Sequence, residues 1–193
     1  MLFRSDYHAQ AVQLEPTLLG ATVEERDGIQ RGTLRYAGWF TPDTTLCREM
    51  ALTQSGVLVV RDTLVPGDSA RGMVAGPLWH MASTNAPAAG ANWFNSAGGR
   101  MELLTWLAPA PERTFGTQAV NVWSKENQQT VFARQPLQPG KAVTFISVLV
   151  PHERGTDAAT LAVQVSVQNP AGDRIRVTTG HDSVEFIPSQ NKP

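Results

Sequence analysis

The sequence has very little cysteine and no charge bias. Cys47 is the one cysteine in 193 residues, so no internal disulfide can form and thiol usage says nothing about the redox compartment. Its position inside a predicted strand favours a buried thiol over a reactive nucleophile. Acidic and basic side chains nearly balance, with 16 Lys and Arg against 17 Asp and Glu. Because no basic patch stands out, we predict no nucleic-acid partner.

Long hydrophobic runs are also absent. No apolar stretch approaches the roughly 20 residues that span a bilayer, so no membrane partner is predicted. Arg4, Asp6 and His8 interrupt the start of the chain, which does not read as a signal peptide. The run LFRS at residues 2–5 looks like a translated library adaptor. We therefore interpret residues 1–5 as a cloning or library scar and expect the chain to be the C-terminal fragment of a longer enzyme.

Familiar metal-binding and catalytic motifs are missing as well. The four histidines, His8, His80, His152 and His181, fall in no H-x-H or H-E-x-x-H spacing, so no metal site is predicted. The chain has no glycine-rich phosphate loop and no G-x-S-x-G elbow, and we predict no cofactor. Any function must therefore be argued from the arrangement of the strands.

The strongest signal that is present is the stretch from Thr44 to Val65, which predicts a long antiparallel hairpin. A three-residue loop at 54–56, closed by Gly56 in the left-handed conformation, sets its register. This register places three apolar pairs on one face: Leu52 with Leu58, Met50 with Val60, and Leu46 with Leu64.

The same register pairs opposite charges on both faces of the hairpin. Arg48 falls opposite Asp62 on the apolar face, and Glu49 falls opposite Arg61 on the other face. A slip of one residue would break every pair, because it turns each side chain to the wrong face. We interpret Arg48 and Asp62 as a buried or half-buried structural ion pair in preference to a ligand-binding pair.

The rest of the chain repeats the pattern of short strands. Turn signals recur every eight to twelve residues, and no segment is a convincing amphipathic helix. The segment 141–150 is apolar on both faces, which predicts a central strand beneath a second layer, and 151–159 reads as a charged surface loop. We predict an all-β fold, a large two-sheet antiparallel β-sandwich of about a dozen strands, as a single domain over 1–193 with a tail at 188–193.

A second hairpin is predicted near the end of the chain. A three-residue loop at 170–172 places Val167 opposite Ile175 and Val165 opposite Val177, with polar residues on the outer face. The pattern is typical of a strand pair that is half exposed to water.

Two aromatic segments carry the best indication of a ligand site. Leu78-Trp79-His80 precedes a loop, and Asn92-Trp93-Phe94-Asn95 follows it. Ring faces beside amide and imidazole groups suit sugars, because CH groups stack on rings and hydroxyls bond to the polar groups. We predict Trp79, Trp93 and Asn95 as substrate-binding residues and His80 as a candidate catalytic residue. The alternative is that both rings are core and that His80 is a satisfied histidine at a strand end.

Four runs of this sequence resemble the C-terminal β-sandwich of heparinase II/III-like polysaccharide lyases. They are CREMALTQSGVLVVRDTLVPG, GPLWHM, VFARQPLQPGKAVTFISVLVP and HDSVEFIP. The resemblance covers most of residues 30–187. It rests on an Arg-bearing strand, a V-x-D strand, an aromatic-His strand and a Pro-Gly turn into an apolar strand.

The resemblance implies a two-part enzyme in which a helical toroid precedes the sandwich and carries much of the chemistry. That chemistry is β-elimination from a uronic acid: one group neutralises the carboxylate, a base takes the C5 proton and an acid protonates the leaving oxygen. The Asn, His and Tyr motifs of the helical part match nothing here, so the chain alone is expected to be inactive. The resemblance implies that the sandwich can contribute a histidine to the cleft, and His80 is the candidate for that role. Some members of the family hold a structural zinc in the sandwich, but no His-Asp-His set in this sequence supports one.

We therefore expect an accessory sandwich that packs on a toroid and lines one wall of a cleft for an acidic polysaccharide or oligosaccharide. The resemblance implies a periplasmic or secreted location. A free-standing carbohydrate-binding module and a structural accessory domain are the two alternatives. A large exposed apolar patch on one sheet would favour the lyase part, whereas an aromatic platform on a self-sufficient fold would favour the module.

Overall fold

The computed structural model describes residues 16–39, 41–81, 86–98, 100–120, 128–169 and 174–187. The scar predicted at 1–5 and the tail predicted at 188–193 lie outside these residues. The described part is built almost wholly from antiparallel strands, as predicted. The elements are β1 Thr17–Arg26, β2 Ile29–Ala37, β3 Thr45–Leu52, β4 Leu58–Val65, β5 Val74–Ala75, β6 Leu78–His80, β7 Ala88–Ala89, β8 Trp93–Gly98, β9 Met101–Leu107, β10 Thr114–Val120, β11 Gln128–Pro136, β12 Val143–Glu153, α1 Ala158–Val163, β13 Val165–Gln168, β14 Ile175–Thr179 and β15 Asp182–Phe186.

The largest element is an eight-stranded sheet in the order β1-β2-β3-β4-β12-β9-β8-β7. Strands β1 to β4 form one run of neighbours in sequence, and β7 to β9 form another. Strand β12 lies between the two runs and pairs with both β4 and β9. The prediction of a central strand at 141–150 is confirmed, because β12 carries buried side chains on both of its faces.

The long hairpin predicted from Thr44 to Val65, formed by β3 and β4, has the predicted register. Leu52 pairs with Leu58, Met50 with Val60 and Leu46 with Leu64. The loop at 54–56 is closed by Gly56, whose φ of 86° lies in the left-handed region that a side chain disfavours. Local turn chemistry and cross-strand pairing therefore agree in this part of the chain.

One face of the eight-stranded sheet, here called face A, is covered by a four-stranded sheet of β5, β6, β10 and β11. The apolar residues between these two layers form core A, with Leu46, Leu64, Phe94, Leu107 and Phe145 from the large sheet. Strands β5 and β6 are separate short strands on the same side of β11, divided at Gly76-Pro77. At Gly76 any Cβ would lie 1.9 Å from the carbonyl oxygen of Ala133, so only glycine fits there.

The opposite face, face B, is covered by a three-stranded sheet of β13, β14 and β15 together with helix α1. Core B fills this second interface with residues from both sides, among them Val59, Ile146, Val148, Ile175, Val177 and Phe186. The all-β sandwich class is confirmed. The large sheet is nonetheless covered on both faces, which a two-sheet description does not convey.

The segment predicted as a charged loop at 151–159 is partly strand and partly helix. Strand β12 continues to Glu153 because it pairs with Met101 of β9, and α1 begins at Ala158. The helix has six residues, too few for a helical period to stand out in the sequence. Asp157 starts it by accepting hydrogen bonds from the backbone N–H groups of Ala159 and Thr160.

The predicted register of the second hairpin is wrong by two residues. Val167 pairs with Val177 and Val165 pairs with Thr179. A two-residue shift leaves every side chain on its predicted face, so burial patterns could not reveal the error. The connection is longer than the predicted three residues, and the side chain of Asn169 donates to the backbone oxygen of Arg174 across it.

Strand β1 stands apart from both cores. All ten of its residues are exposed, and it forms one edge of the large sheet. A two-residue turn joins it to β2, with Asp27 and Gly28 both at positive φ. The β1–β2 hairpin thus extends the large sheet beyond the layers that cover its centre.

Candidate functional site

The Arg48–Asp62 pair is the most enclosed ion pair among the residues that the structure describes. Alternation along β3 and β4 directs both side chains to face A. Arg48 Nε donates to Asp62 Oδ1 at 2.7 Å, and Arg48 Nη2 donates to Asp62 Oδ2 at 2.8 Å. Asp62 is 1% exposed and Arg48 is 20% exposed. Burial alone would lower the pKa of Arg48, but the hydrogen bonds and charge of Asp62 outweigh it and raise that pKa.

Aromatic rings border this pair where core A ends. The Trp79 indole, from β6, lies 5.9 Å from the Arg48 guanidinium and donates a hydrogen bond from Nε1 to Ser147 Oγ at 3.1 Å. The rings of Tyr36 and Trp39 lie 4.8 Å apart and also pack against core A. We call Tyr36, Trp39, Arg48, Asp62 and Trp79 the aromatic–arginine seam.

The chemistry of the seam suits an oxygen-rich ligand. Asp62 engages two of the five N–H groups of the Arg48 guanidinium, and the half-buried rings supply flat apolar faces. A cation held against an aromatic face is a frequent arrangement in recognition sites. Guanidinium N–H groups and ring faces side by side can meet the hydroxyl and CH groups of a sugar.

His80 follows Trp79 on β6, where it pairs with Thr130 of β11. Because side chains alternate along a strand, His80 turns away from core A while Trp79 turns into it. His80 is exposed, so it can reach a ligand in solution. It lies next to the seam in sequence but points out of the second layer.

Trp93 and Asn95 lie on face B, away from the seam. Trp93 packs against core B and pairs with Trp106 across the strands. Asn95 is bonded on both sides: its Oδ1 accepts from His152 Nε2 at 2.8 Å, and its Nδ2 donates to Glu102 Oε2 at 2.7 Å. The second ring nitrogen of His152 lies 3.0 Å from the backbone oxygen of Glu153.

The predicted grouping of Trp79, His80, Trp93 and Asn95 is therefore not assembled. It assumed that the two aromatic segments were adjacent strands. Instead β6 pairs with β11 in the covering sheet, while β8 pairs with β7 and β9 in the large sheet. Their individual roles in binding stay predictions.

Sequence reasoning missed the partners of Asn95. His152 and Glu102 are directly opposite each other in the β12–β9 register, and Glu102 is two residues from Leu104, the partner of Asn95. The pairing of His152 with Glu102 joins residues 50 positions apart. Hairpin signals do not reach over that distance, so the polar network could be found only from the sheet order.

The second predicted pair is also confirmed. Glu49 and Arg61 are bonded on face B, with 16% and 10% of their side chains exposed. The Arg61 guanidinium lies 5.2 Å from the ring of Phe186 in the covering three-stranded sheet. The Glu49–Arg61 pair joins β3 to β4 within the large sheet, and the contact of Arg61 with Phe186 links that sheet to its covering layer, which is a structural role.

Cys47 is half-buried on the same face as Glu49. Burial raises the pKa of its thiol, and the charge of Glu49 adds to the rise. A neutral thiol is a poor nucleophile, and the thiol predicted to be buried is half-buried. Among the residues described, no group of three or more His, Cys, Asp or Glu side chains is placed to hold a metal ion. In the same part of the chain, no helix has the length and apolar character needed to cross a bilayer.

Comparison with solved structures identifies the fold. A mutant of the heparan sulfate lyase HepC from Pedobacter heparinus matches with a TM-score of 0.67 and 12% identity over 89% of this chain. A structure of heparinase III gives a TM-score of 0.67 at 10% identity over 89% of this chain, and a second heparinase III gives 0.66 at 11% over 86%. No family model matches the sequence, and no curated protein does.

The predicted resemblance is thus confirmed at the level of the fold. The chain covers 28% of the HepC mutant and 27% of each of the two heparinase III structures. It spans just over a quarter of their length, so it corresponds to one part of a larger lyase structure.

Proposed function

We propose that this chain is the accessory β-sandwich of a polysaccharide lyase that acts by β-elimination on uronic-acid polysaccharides. In this proposal the sandwich packs on a helical toroid and lines one wall of the substrate cleft. The observation that carries the proposal is the position of the aromatic–arginine seam, at the border where the covering layer on face A ends. The heparinase III fold supports the same assignment.

Each side chain has a stated task in this proposal. The Trp79 ring stacks on a sugar and the exposed edge of Arg48 meets its hydroxyl or carboxylate oxygens, while His80, on the outer face of β6, meets a neighbouring sugar unit of the same oligosaccharide. Arg48 keeps its partner Asp62, so the pair offers hydrogen bonds without a full unpaired charge. A half-site of this kind binds weakly, because the wall that would enclose the ligand is absent.

The test is a titration of the chain with uronate oligosaccharides, followed by nuclear magnetic resonance. We expect millimolar binding, with shifts at the Trp79 indole N–H and at His80. His80→Ala should weaken binding, whereas His181→Ala should not, because His181 is an equally exposed histidine on the other covering sheet. Equal effects of the two substitutions would remove His80 from the site, and no shift of the Trp79 indole N–H at millimolar sugar would remove the seam as a subsite.

A second measurement addresses catalysis. The chain alone should release no unsaturated uronate from heparan sulfate, alginate or chondroitin, measured by ultraviolet absorbance, because it lacks the motifs of the helical part. Steady product formation above a buffer control would show that the catalytic set is complete in these residues.

The carbohydrate-binding module is the second candidate, favoured by Trp93 and Asn95. Both are half-buried on face B, and Asn95 is already held by His152 and Glu102. In this case the chain alone would bind tightly, and shifts would centre on Trp93 instead of Trp79. Trp93→Ala and Trp79→Ala distinguish the two candidates, provided that circular dichroism shows both variants folded.

A further inference from the structure

The exposed half of face A is apolar, although it faces water. On face A, Tyr36 of β2 packs against core A and pairs with Leu18 of β1 at the edge of the sheet. In another row on the same face, Met50 of β3 pairs with Gly32 of β2, and Gly32 pairs with Val23 of β1. Leu18 is 53% exposed and Val23 is 88% exposed. Large apolar side chains at such exposure mark a contact surface when they are grouped.

The other face of the same strand has the opposite character. On β1, Thr22 pairs with Thr33 and Glu24 pairs with Arg31, and these positions turn to face B. A strand that met water on both faces would be polar on both. Strand β1 is instead apolar on face A at Leu18, Ala21 and Val23, with Glu25 at the end of the row, whereas Thr22, Glu24 and Arg26 make face B polar. This is the pattern of a strand that is covered on one side over most of its length.

The apolar strip adjoins core A at Tyr36. Tyr36 and Trp39 belong to the rim of core A, and Ala21 and Leu34 extend the strip outward in register with Arg48. A protein domain that covered this strip would therefore lie beside the four-stranded sheet and above the aromatic–arginine seam.

We propose that face A of β1 and β2, through Leu18, Ala21, Val23, Leu34 and Tyr36, is the docking surface for the remaining part of a lyase chain. This inference rests on the proposed function. Its occupant is argued from the comparisons: in the matched structures this fold is joined to a much longer polypeptide, because it accounts for only 28% or 27% of each chain. Docking there would turn the open seam into a cleft with two walls.

The experiment uses the polypeptide encoded directly upstream in the same reading frame, produced separately and mixed with this chain. Val23→Asp should weaken their association by at least roughly tenfold, because it buries an unpaired charge in an apolar contact. Thr22→Asp is the matched control, since Thr22 is the adjacent exposed residue on the opposite face; it should change the affinity by less than about twofold. Thermal unfolding of both variants alone should match that of the unsubstituted chain.

Several outcomes would overturn the inference. They are equal effects of the two substitutions, the lack of any further domain upstream, and no association of the unsubstituted chain. Self-association in sedimentation velocity that Val23→Asp abolishes would assign the surface to a second copy instead.

Lyase turnover of the joined polypeptide separates this inference from the proposed function. An active lyase that tolerates Val23→Asp fully would refute the docking surface alone. An inactive joined chain whose assembly still requires Val23 would refute the function alone.

Discussion

Removing the carboxylate of Asp62 tests the packing of face A most directly. In Asp62→Ala the Arg48 guanidinium loses both short hydrogen bonds and stays in a largely buried position. Breaking a buried pair from one side costs about 3–5 kcal/mol. Arg48 retains 20% exposure, so water partly replaces its partner and we expect about 3 kcal/mol, the low end of that range.

Two further variants identify the cause of that loss. Arg48→Met combined with Asp62→Leu removes both charges, and it should unfold within about 1 kcal/mol of the unsubstituted chain. Asp68→Ala breaks the pair with Arg71 at the surface, where the Arg71 side chain is 75% exposed and that of Asp68 is 88% exposed. This substitution should cost less than about 1 kcal/mol.

The assay is urea unfolding followed by tryptophan fluorescence and circular dichroism, with equal slopes required across variants. A loss below about 1 kcal/mol for Asp62→Ala would refute the reasoning, because such a loss is typical of a solvated pair. So would a double variant as unstable as the single one, since the penalty would then come from the loss of the hydrogen-bonded pair itself and not from an unpaired charge.

Three other perturbations have defined outcomes. Gly56→Ala should cost about 1–2 kcal/mol, because φ is 86°, while Gly20→Ala, with open space around it, should stay within about 0.5 kcal/mol; similar losses would contradict the assigned turn. Asn95→Ala should cost about 1–3 kcal/mol in urea unfolding, because it leaves the buried His152 and the carboxylate of Glu102 without their hydrogen-bond partner. No loss of stability would mean that water replaces the amide. The hydrogen bond from Thr160 lowers the pKa of Asp157 below 3.8, so its cap contributes stability above that value and loses it as pH falls through the lower folded pKa. The Thr160 amide resonance should titrate below pH 3.8, and a midpoint above it would reverse the sign.

The parts of the fold that could be predicted are those set by neighbours in sequence. The pairing of Arg48 with Asp62 followed from a three-residue loop and alternating side chains, and both signals lie within about 20 residues. The second hairpin shows the limit of this reasoning. Its register was wrong by two residues because the turn signal at 170–172 indicated a loop shorter than the actual connection, and an even shift preserves the buried face.

The candidate site could be predicted only in part for the same physical reason. Trp79 and Arg48 were both singled out, but their contact depends on one sheet packing over another, and alternation within strands does not determine that packing. Trp79 and Trp93 were grouped because they are close in sequence. Sheet membership separates them, and it is decided by long-range pairing that no local pattern encodes.

The sheet order has a consequence for how the molecule assembles. Apart from the pairs that β4 and β9 make with β12, strands β1–β4 and β7–β9 pair within their own runs, so each run can form early from local contacts. The two runs meet only through β12, which begins at Val143. Pulsed hydrogen exchange should therefore protect amides of β3 before those of β12; simultaneous protection would contradict this order. Until β12 is inserted, β4 and β9 present open edges, so a chain stalled before it exposes two strands ready to pair with other molecules.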